Sequence, residues 1–135
     1  MLQITGNNGT KIRDICFAPL ASPYTDSSEP SQCTVMSIWG YFQDDLEKFE
    51  EEDESTGNYL DHILRCVNNP FDPDCLAPWG GPIIPDLAFG GFIDAGLKKE
   101  GKPKYEKATA VILTYIVSNH HNKTKREPAL AWEHR

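Results

Sequence analysis

The four cysteines of this 135-residue chain constrain its fold more than any other feature of the sequence. Cys16 and Cys33 lie 17 positions apart, Cys66 and Cys75 lie nine apart, and no C-x-x-C pair typical of a zinc or thiol-redox site occurs. Four cysteines allow three disulfide connectivities. We expect the sequential pairing, because each pair brackets a turn-rich segment with little regular hydrogen bonding, and cross-linking about 15 residues contributes roughly 3 kcal/mol. The alternative is four buried free thiols in a cytosolic protein.

Two N-x-[ST] sequons agree with an oxidising compartment, since such acceptors are glycosylated only in the secretory lumen. They begin at Asn8 and Asn122. Residues 1–30 lack the basic start and apolar core of a signal peptide, and the most apolar stretch, residues 108–117, is too short to cross a membrane. We therefore expect this chain to be a fragment of a larger lumenal protein.

Two segments have the composition of β-strands. Residues 108–117 are rich in β-branched and aromatic side chains, which predicts a central strand, and residues 11–17 form a shorter strand candidate. The region 76–97 contains many Pro and Gly residues between apolar ones. It predicts a long apolar loop folded onto the core, with a short strand near residues 87–89.

Three segments have helical periodicity. Ser31 and Asn58 can each cap a helix whose apolar residues recur at i, i+3, i+4 and i+7, and residues 125–134 predict a last helix. Together these elements predict an α+β fold: a small, mostly antiparallel sheet packed with several short helices and stapled by two disulfides. No flexible linker divides the chain, so we expect one partial lumenal domain over residues 1–135.

The negative charge of the chain is concentrated in one segment. The whole chain has a formal net charge of −7, and residues 44–54 alone contain eight acidic residues and one Lys. Lys and Arg are outnumbered, which argues against a nucleic-acid partner. A calcium site is an alternative interpretation of this run, but the ligand spacing and central Gly of an EF-hand are missing. Helical spacing of the acids favours an exposed helix end or loop.

No motif for catalysis or for a cofactor is present. There is no G-x-S-x-G nucleophile elbow, and the paired glycines are interleaved with prolines, which lack the N–H groups that would hold a phosphate. A Cys66/His62 dyad competes with the disulfide, and the adjacent His120 and His121 would point to opposite faces of a strand. We expect no enzyme, metal or cofactor. The alternative is a small secreted hydrolase or metal-dependent enzyme that uses these histidines.

Eight short motifs, together with Cys33, occur in the order typical of one family. The chain resembles the middle lumenal domain of the Niemann-Pick type C1 family of sterol (cholesterol or ergosterol) transporters, as a fragment of a fungal or other non-animal member. The similarity covers residues 12–135. The matching segments are 14–20 (DICFAPL), Cys33, 41–43 (YFQ), Tyr59 and His62 leading to Cys66, 75–76 (CL), 80–85 (GGPIIP), 90–92 (GGF), 108–110 (ATA) and 129–133 (ALAWE).

The resemblance implies a function in sterol export. Members are polytopic membrane proteins of lysosomes, vacuoles or endosomes, and this domain projects into the lumen as a docking platform for the soluble sterol carrier, the Niemann-Pick type C2 protein. The family's disulfides match the sequential pairing. Its docking surface includes a loop before the helix that ends at the third cysteine, and by position this loop comprises Phe49, Glu50, Glu51, Glu52, Asp53, Glu54, Ser55, Thr56, Gly57 and Asn58.

This docking segment, residues 49–58, departs from the family pattern. In animal members the loop carries exposed aromatic residues, whereas here Phe49 stands beside an acidic stretch. We therefore expect any contact to be electrostatic. A further hypothesis is a truncated gene product without a function of its own, whose unpaired edge and apolar surface would be exposed.

Overall fold

The computed structural model describes residues 5–6, 9–21, 30–50, 57–90 and 104–134. Five α-helices and two short strands lie in these ranges: α1 (Ile12–Ile15), β1 (Val35–Met36), α2 (Leu46–Glu50), α3 (Tyr59–Asn68), α4 (Pro85–Ala88), β2 (Thr114–Tyr115) and α5 (Lys123–Glu133). Short 3₁₀ turns cover Pro30–Gln32, Ile38–Phe42, Pro73–Cys75 and Tyr105–Lys107. The strands pair as a two-stranded antiparallel sheet. The predicted α+β fold with short helices is confirmed.

Both disulfides have the sequential pairing expected from the sequence. Cys16 bonds to Cys33, with their Cα atoms 5.5 Å apart, and Cys66 bonds to Cys75, with their Cα atoms 5.3 Å apart. All four cysteines are buried.

The described part of the chain contains no helix that combines the length and apolar character needed to cross a lipid bilayer.

The chain divides into two compact units, of which the first comprises Met1–Thr34 and Tyr115–Arg135. In its described residues, helix α5 packs against α1. The segments around Cys16 and Val117 join by backbone hydrogen bonds, from Phe17 N to Ile116 O (2.8 Å) and from Ser118 N to Ile15 O (2.8 Å). These bonds join segments from both ends of the sequence, and the first disulfide adds the segment around Cys33.

The second unit is Val35–Thr114. Its core contains Tyr41 and Phe42 from a 3₁₀ turn, and Ile63 and Cys66 from α3. A methyl group at Gly40 would come within 2.5 Å of the Ile83 Cδ1 atom, so a larger residue there would have to displace the Ile83 side chain. The region after Cys75 forms a tight hairpin, in which Ala77 N donates to Gly81 O (2.9 Å).

The strand predicted over residues 11–17 is wrong, because residues 12–15 form α1. The Asp14 carboxylate accepts a hydrogen bond from Lys11 N (2.8 Å), and such a local bond favours a turn over an extended backbone. A central strand was predicted over residues 108–117, but within this range the structure has strand pairing only at β2 and at an isolated bridge at Val117. Val111 is 65% exposed, so this run does not lie between two buried faces.

The helix expected after Ser31 is also wrong. The chain instead makes a 3₁₀ turn at Pro30–Gln32, strand β1, and a second 3₁₀ turn at Ile38–Phe42. The short strand expected near residues 87–89 is wrong too, because these residues lie in helix α4 and the turn that follows it. Pro85 supplies the fixed φ of a first helical position, and its carbonyl accepts from Phe89 N (2.8 Å).

Helices α3 and α5 agree with the sequence pattern. Helix α3 begins after its predicted Asn58 cap, and α5 begins two residues earlier than expected, at Lys123. Pro128 therefore lies in the second turn of α5, where it removes one backbone hydrogen bond.

Candidate functional site

The docking segment, residues 49–58, is described at both of its ends. Phe49 and Glu50 close α2, and Gly57 and Asn58 precede α3. The intervening Glu51, Glu52, Asp53, Glu54, Ser55 and Thr56 lie outside the described residues. The two described ends belong to the second unit, and each is held by a separate set of contacts.

A tight turn with two left-handed residues positions α2. Gln43 and Asp44 both have φ of 57°, which ends the preceding 3₁₀ turn. The Gln43 side chain donates to Pro73 O (3.2 Å) and accepts from Lys48 Nζ. Asp45 Oδ1 accepts from Glu47 N (2.9 Å), so the first turn of α2 is capped. These contacts fix the direction in which the chain enters the docking segment.

Desolvation raises the pKa of the Asp44 carboxyl above its ordinary value. The neighbouring Glu47 and Glu50 are exposed on α2. The described part of the acidic run therefore presents several carboxylates to solvent, and one of them, Asp44, is less readily ionised than a free aspartate.

A reciprocal cap fixes the other end of the segment. Asn58 Oδ1 accepts from Leu60 N (2.9 Å) and from Asp61 N (3.4 Å), while Asp61 Oδ2 accepts from Asn58 N (3.1 Å). Gly57 has φ of 78°, and a methyl group there would come within 2.4 Å of Asp61 Oδ2. Glycine at position 57 is therefore required both by the backbone conformation and by the cap.

An aromatic cluster lies between these two ends. The ring of Phe49 lies 4.9 Å from Trp39, 5.2 Å from Phe42 and 5.4 Å from Tyr59, measured between centroids. Phe42 is buried, whereas Trp39 is 42% and Tyr59 is 44% exposed. We call Trp39, Phe42, Phe49 and Tyr59 the aromatic base. Trp39 and Tyr59 lie outside the docking segment expected from the sequence, and the 3₁₀ turn and α3 bring their rings to Phe49.

His62 continues the aromatic base into α3. Its ring lies 4.8 Å from Phe42, and its Nε2 atom lies 2.8 Å from Tyr41 O. A carbonyl oxygen only accepts, so Nε2 carries the proton, and Nδ1 accepts from Arg65 Nη2 (3.1 Å). His62 therefore ties α3 to the 3₁₀ turn that carries Trp39 and Phe42.

One group of potential metal ligands occurs among the described residues. The ligand atoms of His62, Cys66 and Cys75 lie within 4.8 Å of one another. Both sulfur atoms belong to the second disulfide, so neither is a thiolate, which is the form of cysteine that binds metal or acts as a nucleophile. His120 and His121 are exposed residues of the first unit and do not join this group.

The two predicted glycosylation sites differ in what the structure describes. Asn8 lies outside the described residues. Asn122 is exposed and caps α5, since its Oδ1 atom accepts from Thr124 N (2.9 Å). The Nδ2 atom, to which a glycan would attach, is not used in this cap.

Comparison with known proteins relates the whole chain to one family. The family model described as "NPC1, middle luminal domain" matches residues 1–135. NPC intracellular cholesterol transporter 1 homolog 1b of Drosophila melanogaster is 33% identical over 88% of this chain and 10% of its own length.

Two mammalian proteins show comparable similarity. NPC intracellular cholesterol transporter 1 of Sus scrofa is 33% identical over 94% of this chain and 10% of its own length. NPC1-like intracellular cholesterol transporter 1 of Rattus norvegicus is 32% identical over 81% of this chain and 8% of its own length. The chain thus spans about a tenth of the length of these relatives.

Proposed function

Since this chain belongs to the family of NPC1 middle luminal domains, we propose that it is the docking domain of a sterol-exporting membrane protein. The family is one of lumenal domains of cholesterol transporters rather than of enzymes. The remainder of the parent protein would supply the membrane-spanning part and the transport activity. The proposed location is the lumenal face of a lysosomal, vacuolar or endosomal membrane.

The proposed partner is a soluble lumenal sterol carrier, the Niemann-Pick type C2 protein, which would deliver its sterol after docking on residues 49–58. The observation that carries this proposal is the construction of the segment's two ends. The α2 turn and the Asn58 cap hold them separately, and the Phe49 and Tyr59 rings meet 5.4 Å apart. A loop held at a fixed base loses less conformational freedom on binding than a free chain.

Charge would govern the first encounter between the two proteins. The docking segment contains five consecutive acids at positions 50–54. An acidic loop attracts a basic partner surface, accelerates association and makes the association rate sensitive to salt. Because a lumen acidified toward pH 4 begins to protonate carboxylates, we expect docking to weaken as the pH approaches about 4.

The experiment is a titration of the full-length polypeptide that carries this domain with its sterol carrier at mildly acidic pH. One variant replaces the acids at positions 50–54 with their amides. We expect its association rate at low salt to fall by about tenfold or more, with little change at high salt. A control variant carries Glu127→Gln and Glu133→Gln, which neutralise exposed acids of α5.

The proposal fails if the unmodified protein does not bind the carrier. The docking role of residues 49–58 fails if the segment variant and the α5 control associate at the same rate. The cysteines beside His62 form a disulfide, so this group offers no thiolate to the alternative of a secreted hydrolase or metal-dependent enzyme.

A further inference from the structure

The segment that leads into β2 has one backbone edge without partners. Residues 108–113 contain no helix, turn or bend, and β2 follows at Thr114. Ile112 N donates to Ala88 O (2.8 Å), so one edge of the segment lies against α4. Neighbouring residues of an extended strand direct their N–H and C=O groups to opposite edges. The backbone groups of Val111 and Leu113 therefore point away from α4, and within the described ranges they make no backbone hydrogen bond.

The side chains of this open edge are apolar and exposed. Val111 and Leu113 share one face of the segment, because successive side chains of a strand alternate between its two faces. Val111 is 65% and Leu113 is 43% exposed, whereas Ile112 is half-buried. Exposed strand edges are commonly protected by charged residues or Pro, and residues 108–117 contain neither. This is the composition of a strand that another strand covers.

The sheet next to this edge is also very small. Strands β1 and β2 contain two residues each. A two-stranded sheet is marginal by itself, and three or more strands with an apolar face are needed for independent stability. A strand beside residues 109–113 would extend the sheet at the segment that precedes β2, and it would cover the apolar side chains that now face solvent.

A covalently linked segment suits this edge better than a free protein does. The edge offers few backbone groups and two apolar side chains, whereas a separate molecule loses its translational and rotational freedom on binding. A segment of the same polypeptide keeps a high effective concentration at the edge and loses much less freedom. Such a polypeptide exists in the family, because the chain spans about a tenth of the length of its relatives.

We propose that residues 109–113 are a docking edge for an extended, uncharged segment of the parent polypeptide outside residues 1–135. That segment adds to the sheet as a further strand. Its backbone pairs with the N–H and C=O groups of Val111 and Leu113, and its β-branched or aromatic side chains cover theirs. This edge is separate in sequence from the docking segment, residues 49–58, and its role does not depend on docking of the sterol carrier.

The first test is site-specific photo-cross-linking of the full-length polypeptide. The photoreactive residue p-benzoylphenylalanine replaces Val111, and the cross-linked peptides are identified by mass spectrometry. We expect cross-links to one segment of the same polypeptide outside residues 1–135. The control position is Phe71, which is 74% exposed in the same unit and should not reach that segment.

The second test is amide hydrogen exchange in the full-length polypeptide, resolved by residue with mass spectrometry. The Ile112 amide is bonded to Ala88 O and serves as the internal reference. If the edge is paired, Leu113 should exchange within about tenfold of Ile112, whereas an open edge should make Leu113 about a hundredfold faster or more. Val111→Lys places a charge on the covered face and should accelerate exchange at Leu113 by about tenfold. Val111→Thr keeps the β-branched shape and should stay closer to the unmodified protein.

The two tests can overturn the proposal independently. Cross-links from position 111 that go only to a second copy, to the sterol carrier or to lipid show that the covering segment is not part of the parent polypeptide. A yield no higher than that from position 71, or a Leu113 amide that exchanges about a hundredfold faster than Ile112, shows that the edge is open. Exchange at Ile63 in α3 reports whether Val111→Lys unfolds the chain. In that case the cross-links and the rates of the unmodified protein decide.

Discussion

The cap at the start of α3 makes a quantitative prediction. Asn58→Ala removes the acceptor for the amides of Leu60 and Asp61, and it leaves the Asp61 carboxylate bound to the backbone N–H of position 58. Loss of an Asn cap costs about 1 kcal/mol. Because opening of the first turn exposes these two amides, that free energy corresponds to roughly fivefold faster hydrogen exchange at Leu60 and Asp61.

Hydrogen exchange followed by NMR measures this local effect residue by residue. Asn58→Asp retains a side-chain acceptor and should leave the two rates within about twofold of the unmodified chain. The amide of Leu130 in α5 belongs to the first unit and serves as an internal reference. Unchanged exchange at Leu60 and Asp61 in Asn58→Ala would show that the cap does not stabilise this turn.

A second substitution tests the same Asn58–Asp61 cap at the glycine that precedes it. Gly57→Ala places a methyl group within 2.4 Å of Asp61 Oδ2 and forces a left-handed backbone on alanine, which alone costs about 1–2 kcal/mol. We expect exchange at Asp61 to accelerate at least as much as in Asn58→Ala. If Gly57→Ala exchanges more slowly than Asn58→Ala, the left-handed turn is not required for the cap.

Three further predictions concern other parts of the chain. Replacing Cys66 and Cys75 by Ala should lower the free energy of unfolding by about 3 kcal/mol in urea titrations, relative to the oxidised chain. The raised pKa of Asp44 means that folding disfavours the ionised form of this carboxyl. Asp44→Asn should therefore raise the thermal unfolding midpoint of the chain near pH 7. This gain should vanish below the ordinary carboxyl pKa, because the Asp44 side chain is then neutral in both the folded and the unfolded state. Thr124→Ala should remove a glycan from Asn122 in a secretory host but keep the α5 cap, whereas Asn122→Gln should remove both, which intact mass and helicity would show.

The sequence predicted α3 well because local signals agreed there. Its apolar residues have helical spacing, Asn58 is a strong capping residue, and Cys66 needs a buried position at its end. The disulfide pairing was predictable for a similar reason, since each pair closes a short turn-rich loop. In these places no distant contact had to overrule the local preference.

The strands and the aromatic base depend on contacts made in the folded chain, which the spacing of apolar residues along the sequence does not encode. Residues 11–17 have strand composition, yet Asp14 bonds to the Lys11 amide and turns the chain. Trp39 has the apolar character of a core residue, but it is 42% exposed on a 3₁₀ turn that ends at two successive left-handed residues, Gln43 and Asp44. Composition alone could not show which side of Trp39 faces Phe49 and which faces solvent.

The division into two units has a consequence for the order of biosynthesis. The first unit needs segments that are separated in the chain by the 80 residues of the second. Closing a flexible loop of that length costs about 4 kcal/mol beyond a constant, and prior folding of the second unit removes most of this cost. Both cysteines of each pair precede residue 76, so both cross-links can form while the segment that contains β2 and α5 is still on the ribosome. Oxidation of the nascent chain therefore does not have to wait for α5, whereas completion of the first unit does.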